Sequence, residues 1–488
     1  MDKILIKCEK LDDFGRGIGF YNGKVVFIPD FLPSEEAYVK IVLKKKKFLE
    51  GEVLEFLKVS PDRVEGRCPY EKDGCSLKHL KYEKALEYKE NKVKNILEKF
   101  AGINSGVRKI VPSPKVWSYR NKITLKVYGK VGYYKNGTHD FVPIDKYYLA
   151  NEKINEVISV LNSENLSEVS EITIKAYDEV MVIIKGRMDI KDLTLVCDSI
   201  YMNDELVYGK RFVLASILDC KFYVLKDAFF QINKEMTEKL YSKVLDSLPK
   251  DSNKKVLDLY CGAGTIGIFL SKYFKEVIGI EINEDAIEAA NMNKVLNGTD
   301  NVNFILGDVS SKLEFLKGYQ ANIAVVDPPR AGLGKRCVLN ILRINPEMIV
   351  YVSCDPVTLA RDLKLMEDSY EVLEVTPFDM FPQTYHVETV VLLSKLNAKQ
   401  HIEVELNLDE LDLTAAESKA TYEEIKEYVL EKHGLKVSSL YISQVKRKCG
   451  LDVGKNYNLS KKEDAKVPQC PPEKEAAIME ALKHFQMI

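Results

Sequence analysis

Between residues 226 and 395 short apolar runs alternate with longer stretches of helical period. That alternation restricts this part of the chain to an α/β fold, a parallel sheet joined by crossover helices. Five of the runs end in polar or reactive residues. Lys255 to Leu259 leads into Tyr260-Cys261-Gly262-Ala263-Gly264, and Val277 to Ile280 into Glu281. Val302 to Leu306 leads into Gly307-Asp308, Ile323 to Val326 into Asp327-Pro328-Pro329-Arg330, and Met348 to Val352 into Ser353-Cys354-Asp355-Pro356. The carboxyl edge of such a sheet is where ligands bind. Any one acid here is explained as a helix N-cap; five polar or reactive strand ends aligned at one edge argue for a site.

The rest of the chain divides around this core. Residues 1–60 carry short strand-like segments punctuated by Gly15, Gly17, Gly19 and Gly23, the pattern of a small β-barrel. Lys44 to Lys47 falls between two of its strands, either as a solvated hairpin tip or as a phosphate-contacting loop. Residues 61–225 hold Cys68 and Cys75, a helix over about 82–100 that is a candidate to pack on the α/β domain, and a central α+β region. Residues 396–410 are polar and acidic, as a linker would be, and 411–488 form a helical tail with helix-turn-helix spacing around Val437 to Gly450.

Composition excludes several classes. The chain of 488 residues is 46% hydrophobic and 30% charged, too apolar for a disordered protein. No apolar run approaches the roughly 18 residues of a membrane span, and the N-terminus lacks a signal-peptide core. A cytoplasmic location without membrane partners is expected. The ten cysteines then read as reduced thiols rather than a disulfide framework. A net charge of −2 leaves a polyanion partner to be argued from local basic faces.

Gly262 and Gly264 let the backbone approach a ligand closely, and Glu281 is placed to accept bonds from ribose hydroxyls. Acids after the second and third strands, with Asp-Pro-Pro after the fourth, look like an S-adenosylmethionine methyltransferase. Arg330, where an aromatic would serve exocyclic-amine chemistry, argues against that chemistry. Cys354 points to carbon 5 of uracil. That carbon becomes nucleophilic only after a thiolate adds to carbon 6, and a base must later remove the carbon-5 proton. His386 and Glu388, two residues apart before Val390-Val391-Leu392-Leu393, are both candidates for that base.

Together D-L-Y-C-G-A-G-T-I-G, V-D-P-P-R-A-G-L, S-C-D-P, H-V-E and Phe229-Phe230-Gln231-Ile232-Asn233 closely resemble the RNA uracil-5 methyltransferase family, over residues 1 to about 395. The resemblance implies a Rossmann-like class I methyltransferase domain over 226–395 and a TRAM-like RNA-binding barrel over 1–60. It implies Cys354 as nucleophile, Glu388 as base, and S-adenosyl-L-methionine contacts at Gln231, Tyr260, Gly262, Glu281, Asp308 and Asp327. The TRAM-like module favours 23S ribosomal RNA as substrate over the thymine loop of transfer RNA; a non-catalytic RNA-binding protein is the remaining alternative. A monomer is expected. Many ribosomal members of the family hold a four-iron, four-sulfur cluster on four cysteines. Here Cys68 and Cys75 match two ligand positions, Tyr70 to Asp73 supplies no third, and Tyr147 or Tyr148 stands where a fourth would fall. No cluster is expected, and zinc on Cys68, Cys75 and His79 would lack a fourth ligand.

Overall fold

Gly17 and Gly19 govern how the first sixty residues close. A Cβ on Gly17 would lie 2.4 Å from the Phe31 carbonyl oxygen, and one on Gly19 2.3 Å from Ile6 Cγ2. Their absence lets β3 (Gly17–Tyr21) press against β1 (Ile4–Lys7). With β2 (Lys10–Leu11), β4 (Lys24–Ile28), β5 (Glu36–Lys44) and β6 (Phe48–Lys58) the sheet runs β1-β5-β6-β4-β3-β2 around Ile6, Val26, Ile28 and Val39. Lys44 to Lys47 forms the exposed tip between β5 and β6, as expected.

The structure is a computed structural model that describes residues 3–69, 75–135, 140–316, 318–396, 422–435, 437–449 and 470–484. Tyr70 to Asp73, residues 397–410 of the expected linker, Thr421 and Gly450 lie outside them. The chain divides into two units, Met1–Asn397 and Ala398–Ile488.

In the first unit the barrel is followed by α1 (Tyr82–Ala101), which stops at Gly102 in the left-handed conformation, φ 72°. Ala85, Lys89, Val93, Leu97 and Ala101 recur at helical spacing and form its buried stripe. A second sheet contains β7 (Lys122–Tyr128), β8 (Lys130–Tyr134), β9 (Phe141–Pro143), β10 (Glu168–Ala176), β11 (Val180–Arg187), β12 (Ser199–Met202) and β13 (Glu205–Gly209). Its order is β13-β12-β11-β10-β7-β8-β9. Against it packs α2 (Glu152–Leu161), capped by the Asn151 side chain, which accepts from the Ile154 N–H.

A hairpin of β14 (Phe212–Ile217) and β15 (Cys220–Leu225) then buries Val213, Phe222 and Val224 in one core with Phe269, Val277 and Val325. Met181 of β11 and Tyr201 of β12 join the same core, so packing crosses the boundary expected at 226. The strand–helix alternation that suggested that boundary starts only after this hairpin.

The third sheet comprises β16 (Lys255–Leu259), β17 (Glu276–Glu281), β18 (Val302–Leu306), β19 (Ile323–Val326), β20 (Met348–Ser353), β21 (Tyr370–Phe378) and β22 (Glu388–Lys395). Its order is β18-β17-β16-β19-β20-β22-β21, parallel except that β22 runs antiparallel to both neighbours. Alternate residues bury on opposite faces. Val256, Val325 and Val350 join one core; Leu257, Ala324 and Tyr351 join the other. The flanking helices are α3 (Lys234–Asp246), α4 (Thr265–Ser271), α5 (Glu284–Leu296), α6 (Val309–Phe315), α7 (Gly334–Ile344) and α8 (Pro356–Lys364). Helix α1 lies along α8, so the expected contact of residues 82–100 with this layer is present.

The second unit has α9 (Tyr422–His433), α10 (Ser439–Lys448) and α11 (Pro472–His484) around Ile425, Val429, Ile442, Val445, Ile478 and Leu482. Ser438 caps α10 by accepting from the Tyr441 N–H. Among the described residues, α11 adds a third helix to the pair that the helix-turn-helix spacing suggested.

One loop of the first unit gathers partners from the whole unit. Residues 379–387 join β21 to β22. Asp379 forms an ion pair with Lys89 of α1, each 1% exposed, and accepts from the Tyr82 hydroxyl at 2.8 Å. Lys89 Nζ also donates to the Phe381 carbonyl at 3.0 Å. Asn233 donates to the Met380 carbonyl, Tyr119 to that of Pro382, the Leu77 N–H to that of Gln383, and Lys92 to that of Tyr385. The Ser76 hydroxyl accepts from the Tyr385 N–H.

Removing one member of a buried pair strands the other charge. Lys89→Met should destabilise the unit by about 3–5 kcal/mol in denaturant unfolding. Lys89→Met with Asp379→Leu should recover much of that loss; a double variant no better than the single would show that the stranded carboxylate is not the cause.

Candidate active site

Strand β16 ends in a turn built for close approach. Tyr260, Gly262 and Gly264 have φ of 63°, 52° and 77°. A Cβ on Gly264 would overlap Phe304 Cζ at 2.4 Å, whereas one on Gly262 would meet nothing within 4 Å and would project into open space. Glu281, at the end of β17, accepts from the Gly262 N–H at 3.2 Å and from the Asn283 N–H at 2.9 Å. The loop after β15 faces this turn. Lys175, buried on β10, donates to the carbonyls of Leu225, Lys226 and Ala228 at 2.9, 2.7 and 3.0 Å. Asn121 donates to the Gln231 carbonyl. Gln231, Tyr260, Gly262 and Asp327 thereby line one cavity with Phe230, Tyr241 and Thr265.

Of the expected contacts, Asp308 stands apart. It is the exposed N-cap of α6, and bonds from the Ser311 N–H and hydroxyl hold its carboxyl below the usual range. It is near enough to Tyr260 to raise that phenol further after burial and Cys337 have done so.

The cavity floor is acidic. Asp258, 1% exposed on β16, is pushed up to about 7 by burial and then by Asp327, with the Gly267 amide opposing. Burial takes Asp327 to about 7 as well. Asp258 is a residue that reading strand ends missed; its signal was a carboxylate inside the apolar run Lys255-Val256-Leu257-Asp258-Leu259.

The reacting end lies one strand further along. Ser353, the last residue of β20, pairs with Thr389 of β22; Cys354 follows in a bend, near enough to Glu388 for that carboxyl to act on its thiol. Glu388 pairs with Phe378 of β21 and is 7% exposed. Burial and then Asp327 drive its carboxyl well above the usual range, against Arg330. Cys354 is half-buried before α8, whose N-cap Asp355 accepts from the Val357 and Thr358 N–H groups. Its thiol is pushed up to about 12 by burial, then by Glu388 and Asp327, again with Arg330 opposing. His386 does not extend the strand: it sits in the preceding loop, its ring 4.1 Å from that of Tyr385. Burial, then Arg330, Lys92, Lys89 and Arg120, depress it to about 4, so it is neutral at pH 7.

An open α/β sheet in this strand order, with glycine turn, acid and cavity at the carboxyl ends of its central strands, defines a nucleotide-cofactor transferase of methyltransferase type. Residues 175–396 match the sequence model of the tRNA (Uracil-5-)-methyltransferase family, and residues 2–54 match the TRAM domain. An uncharacterized RNA methyltransferase of Halalkalibacterium halodurans is 33% identical, covering 81% of this chain and 98% of the relative. Another, of Caldanaerobacter subterraneus subsp. tengcongensis, is 34% identical over 80% and 98%. The Pyrococcus abyssi tRNA (uracil-54, C5)-methyltransferase, solved with S-adenosyl-L-homocysteine, is 30% identical with a TM-score of 0.68, covering 80% of this chain and 99% of that one. The chain belongs to the RNA uracil-5 methyltransferase family with an N-terminal TRAM domain: it is an S-adenosylmethionine-dependent enzyme that methylates RNA at carbon 5 of uracil.

The buried acids set a pH dependence of stability. With a pKa near 7 when folded and about 4 when unfolded, Asp258 carries a proton in the folded state that the unfolded chain has lost. Stability from this group is therefore greatest below pH 4 and is lost as pH rises to 7. Asp258→Asn should raise the melting temperature of the ligand-free enzyme by about 2–4 °C at pH 8, with the gain shrinking toward pH 5. A variant that melts below the parent at pH 8 would show that the ionised carboxylate is held by bonds outweighing its desolvation.

Proposed function

We propose that this enzyme methylates a uridine of 23S ribosomal RNA, with Cys354 as nucleophile and Glu388 as base. The observation that supports these roles is the nearness of Cys354, Glu388 and Asp327 at the ends of β20, β22 and β19, close enough that Glu388 and Asp327 act on the thiol.

S-adenosylmethionine supplies the methyl group. The cavity fits it: the Gly262 edge is open, and Gln231, Tyr260 and Asp327 present polar groups there, with Glu281 behind the turn. Cys354 releases its proton to solvent and the thiolate sulfur bonds to carbon 6 of the uracil, shifting the electron pair of the carbon 5–carbon 6 double bond onto carbon 5. Arg330 favours the ionised form of the thiol. Once carbon 5 is methylated, Glu388 takes its proton; the electron pair of that bond restores the carbon 5–carbon 6 double bond and the carbon–sulfur bond breaks. A carboxylate whose affinity for protons has been raised is a better acceptor than an imidazole held near 4, which favours Glu388 over His386 for this step.

Cys354→Ala should reduce turnover by at least 10³-fold and abolish covalent trapping, while S-adenosylmethionine affinity stays within about twofold. Glu388→Gln should instead accumulate a methylated protein–RNA adduct that survives denaturing gels. Normal turnover by Glu388→Gln would transfer the base role to His386.

The residues around Cys75 do not fit an iron–sulfur cluster. Cys75 packs among Tyr119, Leu149, Trp117 and Tyr147, so an aromatic ring occupies the neighbourhood of the missing ligand. Among the described residues no three metal-donor side chains converge. No step is assigned to such a group.

The TRAM domain supports an RNA substrate, and the ribosomal reading rests on the family resemblance of the sequence. The likeness to the Pyrococcus abyssi enzyme favours a second reading, a transfer-RNA uridine. Purified enzyme offered both unmodified RNAs should methylate protein-free 23S RNA; methylation of transfer RNA alone would establish the second reading.

A further inference from the structure

An aromatic lane leads from the barrel to the reacting end. Between β2 and β3, Asp12 accepts from the backbone N–H groups of Phe14 and Arg16 at 2.9 and 2.8 Å, and from Arg16 Nε at 2.8 Å. This fixed turn holds Phe14 outward, 54% exposed. The Phe14 ring meets Tyr385 edge-on at 5.4 Å, and Tyr385 meets His386 at 4.1 Å. Lys92 ties the two sides: its ammonium donates to the Asp13 carbonyl at 2.8 Å and to that of Tyr385 at 3.2 Å, 5.1 Å from the Tyr385 ring centre.

Arginines border the lane at both ends, Arg16 being also paired with Asp12 at 2.8 Å and 3.9 Å from Glu50. Arg16 lies 4.5 Å from the Phe27 ring centre and 5.5 Å from that of Phe14. At the other end, Arg330 is close enough to His386, Cys354 and Glu388 to act on the charge of all three. One exposed ring, Phe14, set against the half-buried Tyr385 and His386 and bordered by arginines, suits single-stranded nucleic acid, whose bases stack while its phosphates pair. A neutral His386 adds a ring without adding a charge that would compete for the phosphates.

We propose that a nucleotide adjoining the target uridine stacks on the Phe14–Tyr385 lane, with its phosphate held by Arg16. The lane makes the barrel a direct extension of the reacting site: a strand entering along it is delivered toward Cys354 with one base already stacked. This rests on the reading that an RNA uridine reaches Cys354.

The test uses the full-length enzyme with two probes, decauridylate and uridine monophosphate. Phe14→Ala should weaken decauridylate binding by about five- to a hundredfold and leave monophosphate binding unaltered, and Phe14→Trp should restore the affinity. Arg16→Gln should lower the slope of log affinity against log salt by about one. Unaltered decauridylate affinity in Phe14→Ala would overturn the lane, as would equal losses for both probes or a Trp variant as weak as Ala. These outcomes are separate from failure of the underlying reading, in which the unmutated enzyme itself would transfer no methyl group to RNA.

Discussion

The buried ion pair between Lys89 and Asp379 is the constraint on which the catalytic arrangement depends. A carboxylate and an ammonium at 1% exposure are tolerated only together, and only where further polar groups complete their bonding. The Tyr82 hydroxyl and the Phe381 carbonyl do so here. The pair therefore specifies one docking position for α1 and one path for the loop entering β22. Glu388 begins that strand, so its position inherits the precision of a contact made by a helix outside the sheet.

The two halves of the site are fixed by different means. The cofactor side is backbone: positive φ at Tyr260, Gly262 and Gly264, an amide held by Glu281, and three carbonyls gathered by Lys175. The side of Cys354 and Glu388 depends on sheet order, since β22 inserts antiparallel between β20 and β21 and so starts Glu388 beside the end of β20. Asp327 belongs to both, lining the cavity and raising the proton affinity of the thiol and the carboxyl. Burial and the neighbouring acids favour the protonated thiol of Cys354, with Arg330 opposing.

Much of this was legible in the sequence. Alternating runs gave the sheet, and the residues closing each run gave its binding edge, because both follow from local periodicity. The Cys354–Glu388 pairing was legible only as chemistry, since nothing local to either residue records that their strands are neighbours. Lys89 was hidden for a related reason: in a polar helix it reads as a solvated charge, and its partner lies 290 residues away. Asp308 fits both readings of a strand-end acid: it stands at the edge where a ligand contact is expected, and one of its oxygens caps α6. The hairpin at 212–225 escaped because strand pairs carry no mark of which neighbouring core they complete.

That 290-residue separation has a temporal side. At 5–20 residues per second on the ribosome, Lys89 is made roughly 15–60 s before Asp379 exists. For that interval α1 has neither α8 nor the loop to dock on, and its apolar stripe has no native cover. The barrel, whose hydrophobic core falls within the first sixty residues, can form early. The nascent protein thus acquires the core of its TRAM domain long before Glu388 exists, and Cys354 gains that neighbour only when the last strand of the sheet is made.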